Sequence, residues 1–413
     1  MMKTLYDMNV SKFVSDDVSR FVGLINDVFP SIDKSNMHLN DFTTELQYVC
    51  KDEGLQFHQD WAEKCVQLYE SSIVRHGIMV VGPPRSGKST AIDTVAKTLT
   101  RMGLKTSIWK MNPKSITAPQ MFGKLEAATG DWTDGIFSML WKKAARATHA
   151  VWIVVDGPVD AVWIENLNTV LDDNKVLTLA NGDRIRMTSN MRLIFEAENL
   201  NNASPATVSR AGVVFMSPDA LGWRPIFDSY ARKINLTVNT QSFVTQLVEA
   251  ALAALNSCDK TCDIGAAIMI ESFITYFEGL MNLNHDIGEL LNDANGDASE
   301  VLKNVLAFCI VWGFGGTLPR LGRVSFSQAI RQYLPSAHFF SETEAIHDYV
   351  YDIKVTEWVK WNIPGLTSDI SGTVDFASVA VHTLEESRCR YLIDLAIAAG
   401  KIPHVCLFEY LIY

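Results

Sequence analysis

Three features predict an α/β fold in which a parallel sheet is flanked by helices and followed by a helical region. Between residues 77 and 216, short apolar runs alternate with helix-period stretches, the pattern of a sheet buried on both faces. The first run, Ile78-Met79-Val80-Val81, leads into a glycine-bearing loop and then an amphipathic helix. From 219 to 340 the apolar residues recur at helical spacing. At ~100–200 residues per domain, the 413 residues suggest two or three domains.

Hydrophobic residues make up 48% and charged residues 20%, enough for a core of useful size. The net charge of −11 argues against non-specific binding to nucleic acid or a membrane surface, which both need basic patches. It leaves room for a local basic site. No run of ~18 apolar residues is available to span a bilayer. The opening MMKTLYDMNVSKFVSDD lacks the apolar stretch of a signal peptide. The seven cysteines are scattered, and Cys258 and Cys262 have no second pair at zinc spacing. They read as reduced cytosolic thiols.

Residues 1–75 read as a helical lead-in. Ser15-Asp16-Asp17 starts a helix with acids in its first turn, carried by Val18, Phe21, Val22 and Ile25 and broken at Phe29-Pro30. Phe57, Trp61, Cys65, Leu68 and Tyr69 mark another. Residues 76–218 hold the α/β part. Strands are expected at 78–81, 106–109, 151–155, 191–195 and 213–216, with helices through Ala91, Ile92, Val95, Ala96 and Leu99 and through Phe137, Leu140, Trp141 and Ala144. Ala180-Asn181-Gly182-Asp183 lies between two alternating runs, which predicts an inserted hairpin. Residues 219–340 form a smaller helical part, with Phe243, Leu247, Ala250 and Ala251 on one face. Residues 341–413, with Trp358, Trp361 and Pro364, read as a connector.

The loop after the first strand, Gly82-Pro83-Pro84-Arg85-Ser86-Gly87-Lys88-Ser89, with Thr90 behind it, fits the eight-residue Walker A pattern. Its glycines let backbone N–H groups curl around phosphate oxygens, and the following helix aims its positive end at the same anion. Lys88 is placed for the β- and γ-phosphates, and the Ser89 hydroxyl for Mg²⁺. Asp156, closing the 151–155 strand, supplies the acid that holds the metal's water shell. The alternative for a lone Asp there is a turn residue. P-loop hydrolases commonly carry Glu next, to activate water. This chain has Gly157, so nucleotide binding without efficient turnover is expected. Asp160 and Glu165 lie nearby but belong to the following helix.

The run from Trp152-Ile153-Val154-Val155-Asp156-Gly157-Pro158 through Trp163-Ile164-Glu165-Asn166-Leu167-Asn168 to Asp172-Asp173-Asn174-Lys175 resembles the second AAA+ module of dynein heavy chains. Ala203-Ser204-Pro205-Ala206-Thr207-Val208-Ser209-Arg210, Asp131-Trp132-Thr133-Asp134-Gly135 and Met111-Asn112-Pro113-Lys114 are similar to further segments of that module, in the right order. Gly157-Pro158-Val159-Asp160 resembles axonemal forms. Leu177-Thr178-Leu179-Ala180-Asn181-Gly182-Asp183-Arg184-Ile185 and Asn201-Asn202-Ala203-Ser204 are similar to the outer-arm gamma type. The likeness covers nearly the whole chain, from the join with a first module to the approach to a third. There Val381-His382-Thr383 leads into a helix and residues 402–405 would begin a strand. No third P-loop follows, so a fragment, a truncated gene model or a diverged end is expected.

The resemblance implies an AAA+ module with an α/β part and a small helical part, binding ATP or ADP with Mg²⁺. It implies that Arg210 is an arginine finger acting on the nucleotide of the preceding module. A salt bridge is the alternative for Arg210. It makes Glu196, Glu198 and Asn199 candidates for the γ-phosphate sensor, each otherwise a turn residue. It makes Arg323 a candidate from the helical lid, with a solvated helix start as the alternative. Phe29-Pro30 would line the adenine pocket or simply pack, and the hairpin would contact the mechanical linker or stay exposed. The implied partners are neighbouring AAA+ modules of one heavy chain. Dynein intermediate and light chains and microtubules enter only through the full heavy chain, in the cytoskeleton of the ciliary axoneme. An autonomous P-loop enzyme and a non-functional truncated product are the competing readings.

Overall fold

The computed structural model describes residues 9, 13, 15–29, 37–126, 129–217, 221–262, 264–284, 300–334, 344–362 and 383–402. Pro30, Pro364, His382 and residues 403–413 lie outside them. Contacts divide the chain into two units, Met1–Pro225 and Ile226–Tyr413. No helix among the described residues is long and apolar enough to cross a membrane.

The first unit is built on a five-stranded sheet. Its strands are β1 (Gly77–Val81), β2 (Thr106–Met111), β5 (Ala150–Asp156), β8 (Met191–Ala197) and β9 (Gly212–Phe215). They lie in the order β2-β5-β8-β1-β9, and every pairing is parallel. The inner strands are largely apolar because both faces are covered, while β2, at the sheet's edge, is half-buried and carries Thr106, Ser107 and Lys110. Ile78, Val80, Trp152, Val154 and Ile194 pack with Phe42, Leu46, Trp61, Cys65, Ile92 and Val95. The alternating residues Met79, Val81, Ile153, Val155, Leu193 and Phe195 pack with Phe137, Trp141, Trp163 and Leu167 on the opposite face.

Two antiparallel hairpins decorate this sheet. β6 (Val176–Thr178) and β7 (Arg184–Arg186) form the one the sequence predicts. The Leu179 N–H donates to Asp183 O (2.9 Å), and the Gly182 N–H donates to Leu179 O (3.0 Å). With Gly182 at φ +90°, the turn is a three-residue loop rather than a two-residue Asn-Gly turn. β3 (Gly123–Leu125) and β4 (Trp132–Asp134) form a second hairpin that the sequence pattern did not announce.

The second unit is helical. Its main helices are Val238–Leu255, Ala266–Leu283, Glu300–Gly315, Arg320–Ile330 and Leu384–Ala398. A hairpin of β10 (Tyr349–Asp352) and β11 (Glu357–Lys360) is tied in by Trp358, whose indole N–H donates to Asn304 Oδ1 (2.9 Å). Ile402 follows the last helix and is not in a strand.

Candidate functional site

The phosphate-type loop leaves the C-terminal end of β1. A Cβ on Gly82 would sit 2.2 Å from Met216 O, so only glycine lets the chain turn here beside β9. Gly87 is left-handed, at φ +83°, and opens the helix Lys88–Arg101. The Trp61 indole donates to Gly87 O (3.3 Å), bracing the loop from the helix Gln59–Val74. The sequence placed Trp61 on a helix but carried no sign of this second role. Pro83, Pro84 and Arg85 form the loop's outer side, with Arg85 at φ +66°. Ser86 is buried, and its hydroxyl has no hydrogen-bond partner among the described residues.

Lys88 folds back over the loop, donating to Gly82 O (2.7 Å) and Pro83 O (2.8 Å). Burial lowers its ammonium pKa, and the carboxylates of Glu196, Glu198 and Asp156 oppose that drop. The Ser89 hydroxyl donates to Glu196 Oε1 (2.5 Å). Thr90 is exposed one residue further along. Asp156 ends β5 directly beside Glu196 in the parallel register. Ser89, Glu196, Asp156 and Lys88 thus converge at the C-terminal edge of three neighbouring strands.

Of the three sensor candidates, Glu196 alone touches the loop. It is 6% exposed, and its Oε2 is buried without a hydrogen-bond partner among the described residues. Burial raises its pKa; the charge of Asp156 adds to the rise, while the Ser89 hydrogen bond and Lys88 oppose it. Glu198 is exposed, and Asn199 accepts from the Asn201 N–H (3.2 Å) as a turn residue does. A Cβ on Gly157 would meet Pro113 Cδ at 3.0 Å and Asn112 Oδ1 at 3.1 Å, so the turn at 112–113 occupies the space of a side chain there.

Arg210 sits at the other edge of the sheet. It ends the helix Pro205–Arg210, which Ser204 caps by accepting the Thr207 N–H (3.2 Å). Its guanidinium is bonded to Asp172 and donates to Ala206 O (2.9 Å). Arg323, in the second unit, donates to both Glu385 oxygens (3.0 Å each) and lies 5.6 Å from the Trp312 ring centre. It is committed to its own unit. Phe29 is half-buried just after the helix Ser15–Val28.

Three family models match the chain. One describes the hydrolytic ATP binding site of the dynein motor region, over residues 1–89. A second describes an AAA domain of the dynein-related subfamily, over 77–211. A third describes the dynein heavy chain AAA lid domain, over 240–363. The chain is 41% identical, over 97% of its length, to the flagellar outer-arm dynein gamma chain of Chlamydomonas reinhardtii. It is 38% identical over 95% to dynein axonemal heavy chain 8 of Homo sapiens, and 37% over 97% to dynein axonemal heavy chain 5 of Mus musculus.

The chain belongs to the dynein heavy chain family. It spans 9% of the length of each of these three relatives. The resemblance to axonemal and gamma-type heavy chains read from the sequence is what these relatives show. The parallel sheet and its loop are those of a P-loop AAA+ module, a nucleotide-binding fold. The residues present fit a nucleotide with its metal: a glycine-hinged loop, a lysine, an unpartnered buried hydroxyl on Ser86, and two acids beside Ser89. The sequence named Glu196 only as one of three sensor candidates. Its bond to Ser89 crosses 107 residues of chain, a distance at which no local pattern speaks.

Proposed function

We propose that this chain is an ATP-binding structural and regulatory AAA+ module of a ciliary dynein motor. It binds ATP or ADP with Mg²⁺, hydrolyses weakly, and lends Arg210 to the nucleotide of the preceding module. The observation that carries the reading is the convergence of Lys88, Ser89 and Asp156 on one edge of the sheet, with Gly157 where a water-activating carboxylate would stand. Gly82, Pro83, Pro84, Arg85, Ser86, Gly87 and Thr90 complete the phosphate cradle. Ser89 and Asp156 would hold Mg²⁺, which would supply positive charge against the phosphates. Ser89 donates its proton to Glu196 and so keeps its lone pairs free for the metal, while Asp156 holds the metal's water shell. Glu196 does not replace the missing base. One oxygen is taken by Ser89, and the other is buried away from water.

The position of Arg210 supports the trans reading. It precedes β9 at the N-terminal edge, whereas the loop follows β1 at the C-terminal edge, roughly 13 Å away along a five-residue strand. Its ion pair with Asp172 is about one-third exposed on each side, at 35% and 36%, so it is worth ~0–1 kcal/mol. A phosphate can replace that carboxylate at little cost. The partners on this reading are the flanking AAA+ modules of the same heavy chain, in the axoneme. Intermediate and light chains and microtubules are reached only through the whole heavy chain.

The test is nucleotide binding and phosphate release by the purified 413-residue chain. Tight Mg²⁺-dependent ATP binding that disappears in Lys88→Ala, with little phosphate release, is expected. Release at the rate of an intact related ATPase, lost in Lys88→Ala, overturns weak hydrolysis. Binding that survives Lys88→Ala overturns the site.

A further inference from the structure

A cavity of about 360 Å³ opens at the N-terminal edge of the sheet, away from the phosphate loop. It is lined by Arg75, His76, Lys175 and Arg192 together with Ile73 and Val74, and no carboxylate lines it. The chain as a whole carries −11, so three arginine and lysine charges around one cavity run against its composition.

The Arg192 side chain and the Lys175 backbone are held in place. Arg192 donates to the backbone oxygens of Ser72 (2.6 Å), Ser189 (2.8 Å) and Met191 (2.7 Å). The carbonyls orient the guanidinium without neutralising it, and burial lowers its pKa. Lys175 is held at φ +52°, a conformation that costs a non-glycine residue ~1–2 kcal/mol. Its N–H donates to Asp172 O (3.0 Å), and its carbonyl accepts the Met187 N–H (2.8 Å). Arg75, Lys175 and Arg192 have no ion pair among the described residues. Of the two acids just before Lys175, Asp172 is taken by Arg210, and Asp173 is exposed and does not line the cavity. His76 bonds Val170 O at 2.8 Å; burial, with the charges of Lys175 and Arg192, lowers its pKa, so the positive charge comes from the other three.

We propose that this cavity receives an acidic peptide segment, one Asp or Glu carboxylate flanked by apolar side chains, from a part of the heavy chain outside these 413 residues. The charge calls for an anion. Ile73 and Val74, at 62% and 61% exposed, form an apolar rim that a free phosphate leaves wet and a peptide covers. The cavity also shares its edge with Arg210: Arg75 packs on Gly212, and His76 is bonded two residues before Asp172. Its occupant is therefore a segment of the module that Arg210 faces. In that last point the proposal rests on the trans reading of Arg210, but its charge and shape do not.

The test is carbodiimide coupling on the intact heavy chain, with peptide mapping by mass spectrometry. The expected result is an amide between Lys175 and an Asp or Glu outside residues 1–413, absent in Lys175→Gln and retained in Arg210→Lys. A Lys175 coupled only to acids within 1–413, or left uncoupled, overturns the proposal. If, in addition, inorganic phosphate slows acetylation of the uncoupled Lys175 several-fold, the cavity is a free-oxyanion site instead. The readout does not use ATPase activity. Failure of Arg210 as a trans residue would therefore show as unchanged motor turnover in Arg210→Lys with the cross-link intact.

Discussion

Glu196 and Gly157 divide between them what a hydrolytic site would give to one glutamate. Glu196 has the carboxylate but is buried against Ser89, and Gly157 has the position but no side chain. Burial raises the Glu196 pKa above its ordinary 4.5. The folded chain therefore holds this proton more tightly than the unfolded chain. The stabilisation is full below 4.5 and is lost as pH rises from there through the folded value. Glu196→Gln keeps an oxygen to accept from Ser89 and removes the ionisation. Its stability relative to wild type, from urea unfolding across pH, should be higher above that window than below it. A pH-independent difference would show that the carboxyl titrates normally. At Gly157 the rigid, buried Pro113 ring stands where a Cβ would go. Gly157→Ala should cost about 1 kcal/mol in the same measurement, as overpacking does. A neutral or stabilising Gly157→Ala would mean that the 112–113 turn yields, and that the glycine is not fixed by packing.

Close packing also decides matters between whole elements. The helix Ala266–Leu283 meets Leu384–Ala398 at Gly279, where a Cβ would sit 2.2 Å from Leu395 O. Alanine in a helix interior gains ~0.5–1 kcal/mol over glycine. A contact with a backbone carbonyl at that distance forces the helices apart, and overpacking of this kind costs ~1–3 kcal/mol. The clash wins, so Gly279→Ala should lower the denaturation midpoint despite its better helix propensity. A raised midpoint would show that the two helices are not in contact there. This approach was invisible in the sequence because it joins residues more than a hundred positions apart. The five sheet strands were legible because each carries an apolar run, shortest in the half-buried edge strand β2. The β6–β7 hairpin was legible because Asn181-Gly182 advertises its turn. The β3–β4 hairpin was not: its strands are three residues each, too short for a period of two to show. The same contrast holds at the site. Lys88, Ser89 and Asp156 sit in or beside a contiguous motif, whereas Trp61 and Glu196 reach the loop only through the fold.

On the proposed function, the parallel sheet of the first unit separates two tasks by its two edges. The C-terminal edge carries the phosphate loop with Asp156 and Glu196, and the N-terminal edge carries Arg210. Neither Arg210 nor its partner Asp172 hydrogen-bonds any residue of the loop among the described residues. The two edges should therefore fail independently. Arg210→Ala loses a guanidinium that, in other phosphoryl-transfer systems, is worth ~10³–10⁵ in rate. In the intact heavy chain it should depress microtubule-stimulated ATPase steeply while leaving ATP affinity at this chain's own loop unchanged. Lys88→Ala should do the reverse at the loop, abolishing binding there, and alter motor turnover only through the ring. Measuring both quantities in both variants separates the cases. If Arg210→Ala weakened nucleotide binding at the Lys88 loop as much as it slowed the motor, the two edges would be coupled through the sheet, and Arg210 would be acting within its own module. If it left motor turnover intact, the ion pair with Asp172 would be its whole role.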